Sequence, residues 1–310
     1  MTIQDRLEKL LSGNPDSIHA FLREVCKNEH IDNTKADMHI YMLRLDGNNR
    51  PRTNDFVDYL VNRIVDYCIP PSEIRKAREK DAKYNTSQYS TQLFRKAERL
   101  FTDLKNTGET GELALSVLVQ SILQIPQVLC KMPLKTNPEV HYHGADGVYG
   151  KYDPTTEKFC LYWGESKIYS DIGQALSDCF DSLKDFLTEE GVGNTRKERD
   201  MSLFRANLDF DDPDLEDAIL EYLDPENVEY LKLEYRGVCL VGYNEEAYPD
   251  DLSKVENEIY TEILARVSDF KNKIKQRLIN RTPLDKFVLE VFLVPFANVD
   301  DFREQFQELL

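Results

Sequence analysis

Apolar residues recur at helical spacing through much of the first hundred positions. Ile18, Phe21, Leu22 and Val25 predict a helix from Pro15 to about Asn28. Met38-His39-Ile40-Tyr41-Met42-Leu43 reads as a short strand. Phe56, Leu60, Ile64 and Val65 predict a helix stopped by Pro70-Pro71. From Ser72 to about Asp103 the chain is helical and dense in Arg and Lys. From Gly111 to about Gln124 it is apolar on nearly every side, which predicts a buried helix. Three strands are expected next: Val128 to about Lys135, Val140 to about Lys151, and Lys158 to Tyr169. A turn at Asp153-Pro154-Thr155 joins the last two. Ile172, Leu176, Cys179, Phe180, Leu183 and Leu187 then mark a helix over Asp171 to Leu187.

Residues 188 to about 230 are polar and acidic, and read as an insertion or lid of weak structure. An apolar strand is expected from Gly237 to Tyr243, and a long helix from Lys254 to about Asn280, with Ser253 and Glu256 as its capping box. Phe287 to Val294 is almost continuously apolar, the mark of a central strand. A short helix from about Asp300 closes the chain. This order predicts an α/β fold: a mainly helical N-terminal region over 1–105, then an α/β domain over 106–310. No internal repeat or low-complexity tract interrupts it.

With 310 residues the chain is long enough for one large domain or two modest ones. A net charge of −17 opposes binding to a phosphate backbone, unless basic residues cluster locally or a partner supplies them. The six cysteines, Cys26, Cys68, Cys130, Cys160, Cys179 and Cys239, show no C-x-x-C pair and read as reduced thiols. The start, MTIQDRLEKLL, lacks a signal-peptide core, and no run approaches the roughly 20 apolar residues of a membrane span. A soluble cytoplasmic protein is the expectation.

The segment with the clearest chemistry is Gly144-Ala145-Asp146-Gly147, followed by Gly164-Glu165-Ser166-Lys167. A hairpin turning at Asp153-Pro154 brings Asp146 beside Glu165. Alternation along the strand puts Glu165 and Lys167 on one face and Ser166 on the other. Two carboxylates on neighbouring strands suit a hard cation such as Mg²⁺ or Mn²⁺, and a lysine beside them suits a reaction that builds negative charge on phosphate. Acid-x-Lys alone means little in so charged a chain: Asp81-Ala82-Lys83, Asp103-Leu104-Lys105 and Asp269-Phe270-Lys271 also match, but in helical patterns that turn the two side chains apart. The competing reading of Glu165 and Lys167 is a strand salt bridge.

The run GADGVYG…LYWGESKIYSDIGQAL resembles the HamA family, the nuclease subunit of the Hachiman anti-phage defence system. The likeness extends over most of 105–310, including Gly111-Glu112 and Leu293-Val294-Pro295-Phe296. It implies a restriction-endonuclease-like PD-(D/E)xK fold with an αβββαβ core, Ala145-Asp146 standing where the superfamily has Pro-Asp. It implies Asp146 and Glu165 as metal ligands, Lys167 as the catalytic lysine, and Mg²⁺-dependent hydrolysis of DNA. It further implies a superfamily 2 helicase partner that restrains the nuclease. Two other readings stand beside this one: a catalytically silent adaptor of the same fold docking on a helicase, and a repair or restriction nuclease.

Glu112 has two readings, a metal-facing acid as in similar nucleases or a first-turn carboxylate complementing the helix dipole. Gln174 matches half of a Gln-x-x-x-Tyr pattern, since Asp178 stands where similar nucleases carry Tyr. His141 and His143 alternate on a strand but have no second pair at zinc spacing, and His19, His30 and His39 have no nucleophile partner. The basic stretches Arg75–Lys83, Arg196–Arg199 and Lys271–Arg277 could contact phosphates but read by default as solvated faces, and the acidic run Asp209–Asp217 reads as a solvated loop.

Overall fold

The computed structural model describes residues 1–102, 108–132, 144–188, 196–249 and 251–310. Six strands form one mixed sheet: β1 (Leu22–His30), β2 (Lys35–Leu43), β3 (Gly147–Asp153), β4 (Lys158–Ile168), β5 (Leu233–Asn244) and β6 (Val288–Phe296), in the order β1-β2-β6-β5-β4-β3. The inner neighbours β2, β6, β5 and β4 run parallel, while β1 and β3 pair antiparallel at the two edges. The long apolar runs in β5 and β6 reflect burial on both faces, as parallel strands require. Two strands of the N-terminal region thus belong to the same sheet as the strands that follow.

Helices α1 (Ile3–Glu8), α2 (Thr53–Val61), α3 (Ile64–Cys68), α4 (Pro71–Tyr84), α5 (Gln88–Thr102) and α6 (Glu109–Leu118) precede the β3–β4 hairpin. After it come α7 (Ile172–Thr188), α8 (Arg196–Ala206), α9 (Pro213–Leu223), α10 (Glu256–Ala265), α11 (Val267–Ile279) and α12 (Val299–Leu309). Trp163 stacks on Phe186 of α7, whereas a Cβ on its neighbour Gly164 would meet Leu115 of α6. Successive strand residues face opposite ways, so α6 and α7 cover opposite faces. With α6 lie α2, α3 and α12, joined by Phe56, Phe296 and Phe302; α11 packs against α7 on the other side.

Several expectations are corrected. Pro15 to Asn28 is not one helix: a 3₁₀ turn over Pro15–Ala20 leads into β1. Register shifts at Glu24/Cys26 and Cys26/Glu29 stretch the two-residue alternation, so Leu22 and Val25 imitate helical spacing. No strand forms over Val128–Met132; Gln127 makes an isolated bridge to Tyr149, and Val128 N–H donates to Val148 O at 2.9 Å. Residues 133–135 lie outside the described residues, as do 140–143 of the next predicted strand, and β3 begins only at Gly147.

Among the described residues of the polar stretch near 188–230 lie α8, α9 and a 3₁₀ turn over Val228–Lys232. In α9, Asp212 accepts from Leu215 N and Pro213 opens the first turn, while Leu215, Ile219, Tyr222 and Leu223 are buried. Lys254 to Asn280 is two helices that part at Arg266. Glu258, not Glu256, closes the start of α10 by accepting from Val255 N at 2.9 Å; Glu256 is engaged by Arg23, Arg44 and Leu45 N. Among the described residues no helix is long and apolar enough to cross a membrane.

Candidate active site

Asp153 sets the hairpin turn, its carboxylate accepting from Thr155 N and the Thr156 hydroxyl. β3 and β4 then pair from Asp153↔Lys158 to Gly147↔Gly164. This register carries Asp146, one residue before β3, level with Glu165-Ser166-Lys167. Asp146 N–H donates to Gly164 O at 2.8 Å. Where the ladder ends, the Asp146 side chain continues it: Ser166 N–H and Oγ–H both donate to Asp146 Oδ2, at 2.7 and 2.8 Å.

Ser166 faces α6. A Cβ on Gly111, in the first turn of that helix, would lie 2.9 Å from Ser166 Oγ, so the glycine lets the helix start sit directly on the serine. Glu165 and Lys167 face the α7 side, and Lys167 Nζ–H donates to Glu165 Oε1. Glu165 is buried, and the thiol of Cys179 on α7 donates to its carbonyl at 3.3 Å. Glu112 is also buried; Tyr67 O–H donates to Glu112 Oε2 at 3.0 Å and lies 3.3 Å from Asp146 O. The structure therefore sets Asp146 at the strand edge, with Tyr67 and Glu112 on the α6 side and the Glu165–Lys167 pair facing the α7 side.

Burial, then Glu165 and Glu112, push the Asp146 carboxyl up to about 8, against the lowering pull of Lys131 and Lys167. Lys167 is held above the ordinary lysine value: burial opposes its charge, but Glu165 and Asp146 outweigh burial. Lys131 and Tyr67 were absent from the sequence reading. Lys131 is buried on the segment after Gln127, and its charge pulls the Asp146 carboxyl down. Its one signal was a charge inside the apolar run Leu129-Cys130-Lys131-Met132; Tyr67 gave none, because its place depends on α3 packing against α6.

The other candidates part from this locus. Gln174 Nε2 donates to Asp178 Oδ1 at 2.7 Å along α7. His141 and His143 lie outside the described residues. His39 is buried between Asn28 N and Glu290, and His30 pairs with Asp37. Asp81 caps α5, and Asp269 pairs with Lys273 while Lys271 reaches Glu29. All six cysteines are free thiols. A cavity of about 1020 Å³ is lined in part by Gln127, Val128, Leu129 and Cys130, but by none of Glu112, Asp146, Glu165 and Lys167.

The donor set suits a hard cation. Carboxylates crowded enough to raise Asp146 are relieved by a divalent ion, and Mg²⁺ takes one or two carboxylates with water and substrate oxygens completing its shell. Among the described residues no three His, Cys, Asp or Glu side chains converge on one ion position. Residues 19–310 match the family model described as HamA. No curated protein matches the chain.

Proposed function

The chain belongs to the HamA family, and from that premise we propose that it is a metal-dependent nuclease that hydrolyses DNA as the effector of Hachiman anti-phage defence. What supports the reading is the β3–β4 register, which sets Asp146 level with Glu165 at the open end of the hairpin, with the charges of Glu165, Glu112 and Lys167 acting on Asp146. The order α6-β3-β4-α7-β5 fits a PD-(D/E)xK core with one strand fewer among the described residues.

Asp146 and Glu165 would hold the cation. When bound, Mg²⁺ supplies charge neutralisation at the scissile phosphate and lowers the pKa of a bound water. Ser166 fixes Asp146 Oδ2, leaving the carboxylate one orientation at the strand edge. Lys167, held charged, places an ammonium where negative charge develops on phosphate. Tyr67 fixes Glu112, which adds negative potential behind the site.

The test is plasmid cleavage by the chain with and without its helicase, in Mg²⁺ or EDTA, beside Glu165→Ala and Lys167→Ala. Cation-dependent nicking lost in both variants supports the reading; cleavage that persists in Glu165→Ala removes it. The strongly acidic surface accords with a helicase that restrains the free subunit. Potent activity at physiological salt, unchanged by the helicase, would refute restraint. A second reading takes the Lys167–Glu165 pair as a structural salt bridge in a silent adaptor. It requires that Mg²⁺ or Mn²⁺ find no site at Asp146 and Glu165.

A further inference from the structure

The hairpin of α4 and α5 reverses the charge of the chain. Between residues 71 and 102 stand eight Lys and Arg against four Asp and Glu, in a chain whose net charge is −17. Ala77, Leu93, Ala97 and Phe101 are its buried residues, and most of the rest is exposed. Part of the positive charge is internal, since Arg75 pairs with Asp211 and Glu79, and Lys96 with Glu73. Lys76, Lys80 and Lys83 are different. Their spacing of four and three puts them on one side of α4, and among the described residues no carboxylate lies within ion-pair distance of them.

The stripe ends in two tyrosines. Tyr84, 58% exposed at the tip, lies 6.3 Å centroid to centroid from Tyr89 across the turn, at 36°. Lys83 Nζ lies 5.2 Å from the Tyr84 ring and Lys80 Nζ 5.3 Å from the Tyr89 ring. The turn is built to hold this arrangement: Asn85 is left-handed, and Asp81 accepts from Tyr89 N and Ser90 N. A cationic track that ends on exposed aromatic rings is how single-stranded nucleic acid is held without sequence preference: phosphates lie along the lysines and a base stacks on the ring. An acidic protein would use the lysines but give no role to the rings.

The base of the arm is the candidate active site. Tyr67, which holds Glu112, precedes α4 by four residues, and Phe101 near the end of α5 packs on it at 6.2 Å. Fourteen helical residues separate that base from the tip, about 20 Å, or roughly six stacked nucleotides.

We propose that the α4–α5 hairpin is a single-stranded nucleic-acid arm, with Lys76, Lys80 and Lys83 tracking the phosphates and Tyr84 stacking a base. The inference stands on charge and ring placement, and rests on the nuclease reading only for what the held strand is delivered to.

Fluorescence anisotropy of the full chain with a fluorescein-labelled oligothymidylate in EDTA tests it without cleavage. Lys76→Ala/Lys80→Ala/Lys83→Ala keeps helix propensity and removes three phosphate contacts, so the slope of log K against log salt should fall by about two. Tyr84→Ala should weaken binding by about fivefold or more. An unlabelled polyglutamate peptide should not compete. Failure of the wild-type chain to bind, an unchanged slope in the triple variant, or equal competition by polyglutamate overturns the proposal, the last assigning the arm to an acidic protein. A chain that binds through the arm but never cleaves defeats the nuclease reading alone.

Discussion

Ser166 gives its backbone N–H and its hydroxyl to the same oxygen of Asp146, at 2.7 and 2.8 Å. The amide bond belongs to the backbone and survives substitution, whereas the hydroxyl bond does not. Ser166→Ala should therefore leave the fold intact, with a loss of about 1 kcal/mol by denaturant titration. Cation-dependent cleavage should fall severalfold as Asp146 gains freedom. Full activity in this variant would mean that the carboxylate orientation does not matter.

Gly111→Ala should act through the same serine. The added methyl would sit 2.9 Å from Ser166 Oγ and 3.3 Å from Ile168 Cδ1, so the helix start or the serine must shift. We expect about 1–3 kcal/mol of destabilisation from overpacking and a matching loss of cleavage. In the Ser166→Ala background the nearest obstacle is gone, so the double-mutant cycle should be non-additive. Strict additivity would show that the two residues are uncoupled.

Tyr67→Phe removes a hydroxyl donor from buried Glu112 and, on the usual penalty for an under-satisfied buried acceptor, should reduce stability by about 1–3 kcal/mol. Glu112→Gln/Tyr67→Phe should recover part of that loss, because the group left behind is uncharged. Equal stability of Tyr67→Phe and wild type in urea would remove Tyr67 from the site.

A divalent cation that binds only the folded chain should raise its melting temperature with concentration, adding about 2.7 kcal/mol at a hundred times the dissociation constant. Mn²⁺ or Mg²⁺ should produce this shift in wild type but not in Asp146→Asn. A shift of equal size in both would move the ion away from Asp146.

Asp212 gives a pH test outside the site. The Arg6 guanidinium, and to a smaller degree the Leu215 amide, hold its carboxyl below the usual value against the opposing effect of burial. A carboxylate depressed in the folded state stabilises it above the unfolded pKa, and that contribution fades as pH falls through the folded value. The stability gap between wild type and Asp212→Asn should be flat above about pH 4 and close below it. A gap that persists at pH 2 would assign it to packing of α1 against α9.

What the chain order determined by itself was local. The alternation Glu165-Ser166-Lys167 sets which side chains share a face. Asp153-Pro154-Thr155 sets the turn, and with it the register that brings Asp146 to Glu165. The long apolar runs of β5 and β6 mark strands buried on both sides. Each follows from a period or a turn that neighbouring residues impose on one another.

Tertiary packing decided the rest. Leu22 and Val25 lie in a strand and not a helix, because bulges against β2 disturb the alternation that sequence reading depends on. The acidic stretch after 196 is helical because Leu215, Ile219, Tyr222 and Leu223 find a surface to bury against. Tyr67 reaches Asp146 across 79 residues of chain and Lys131 acts on it across 15, and the Glu256 side chain, at the start of α10, accepts from Arg23 and Arg44. A side chain's partner across the fold carries no periodicity in the sequence, so only the folded chain reveals it.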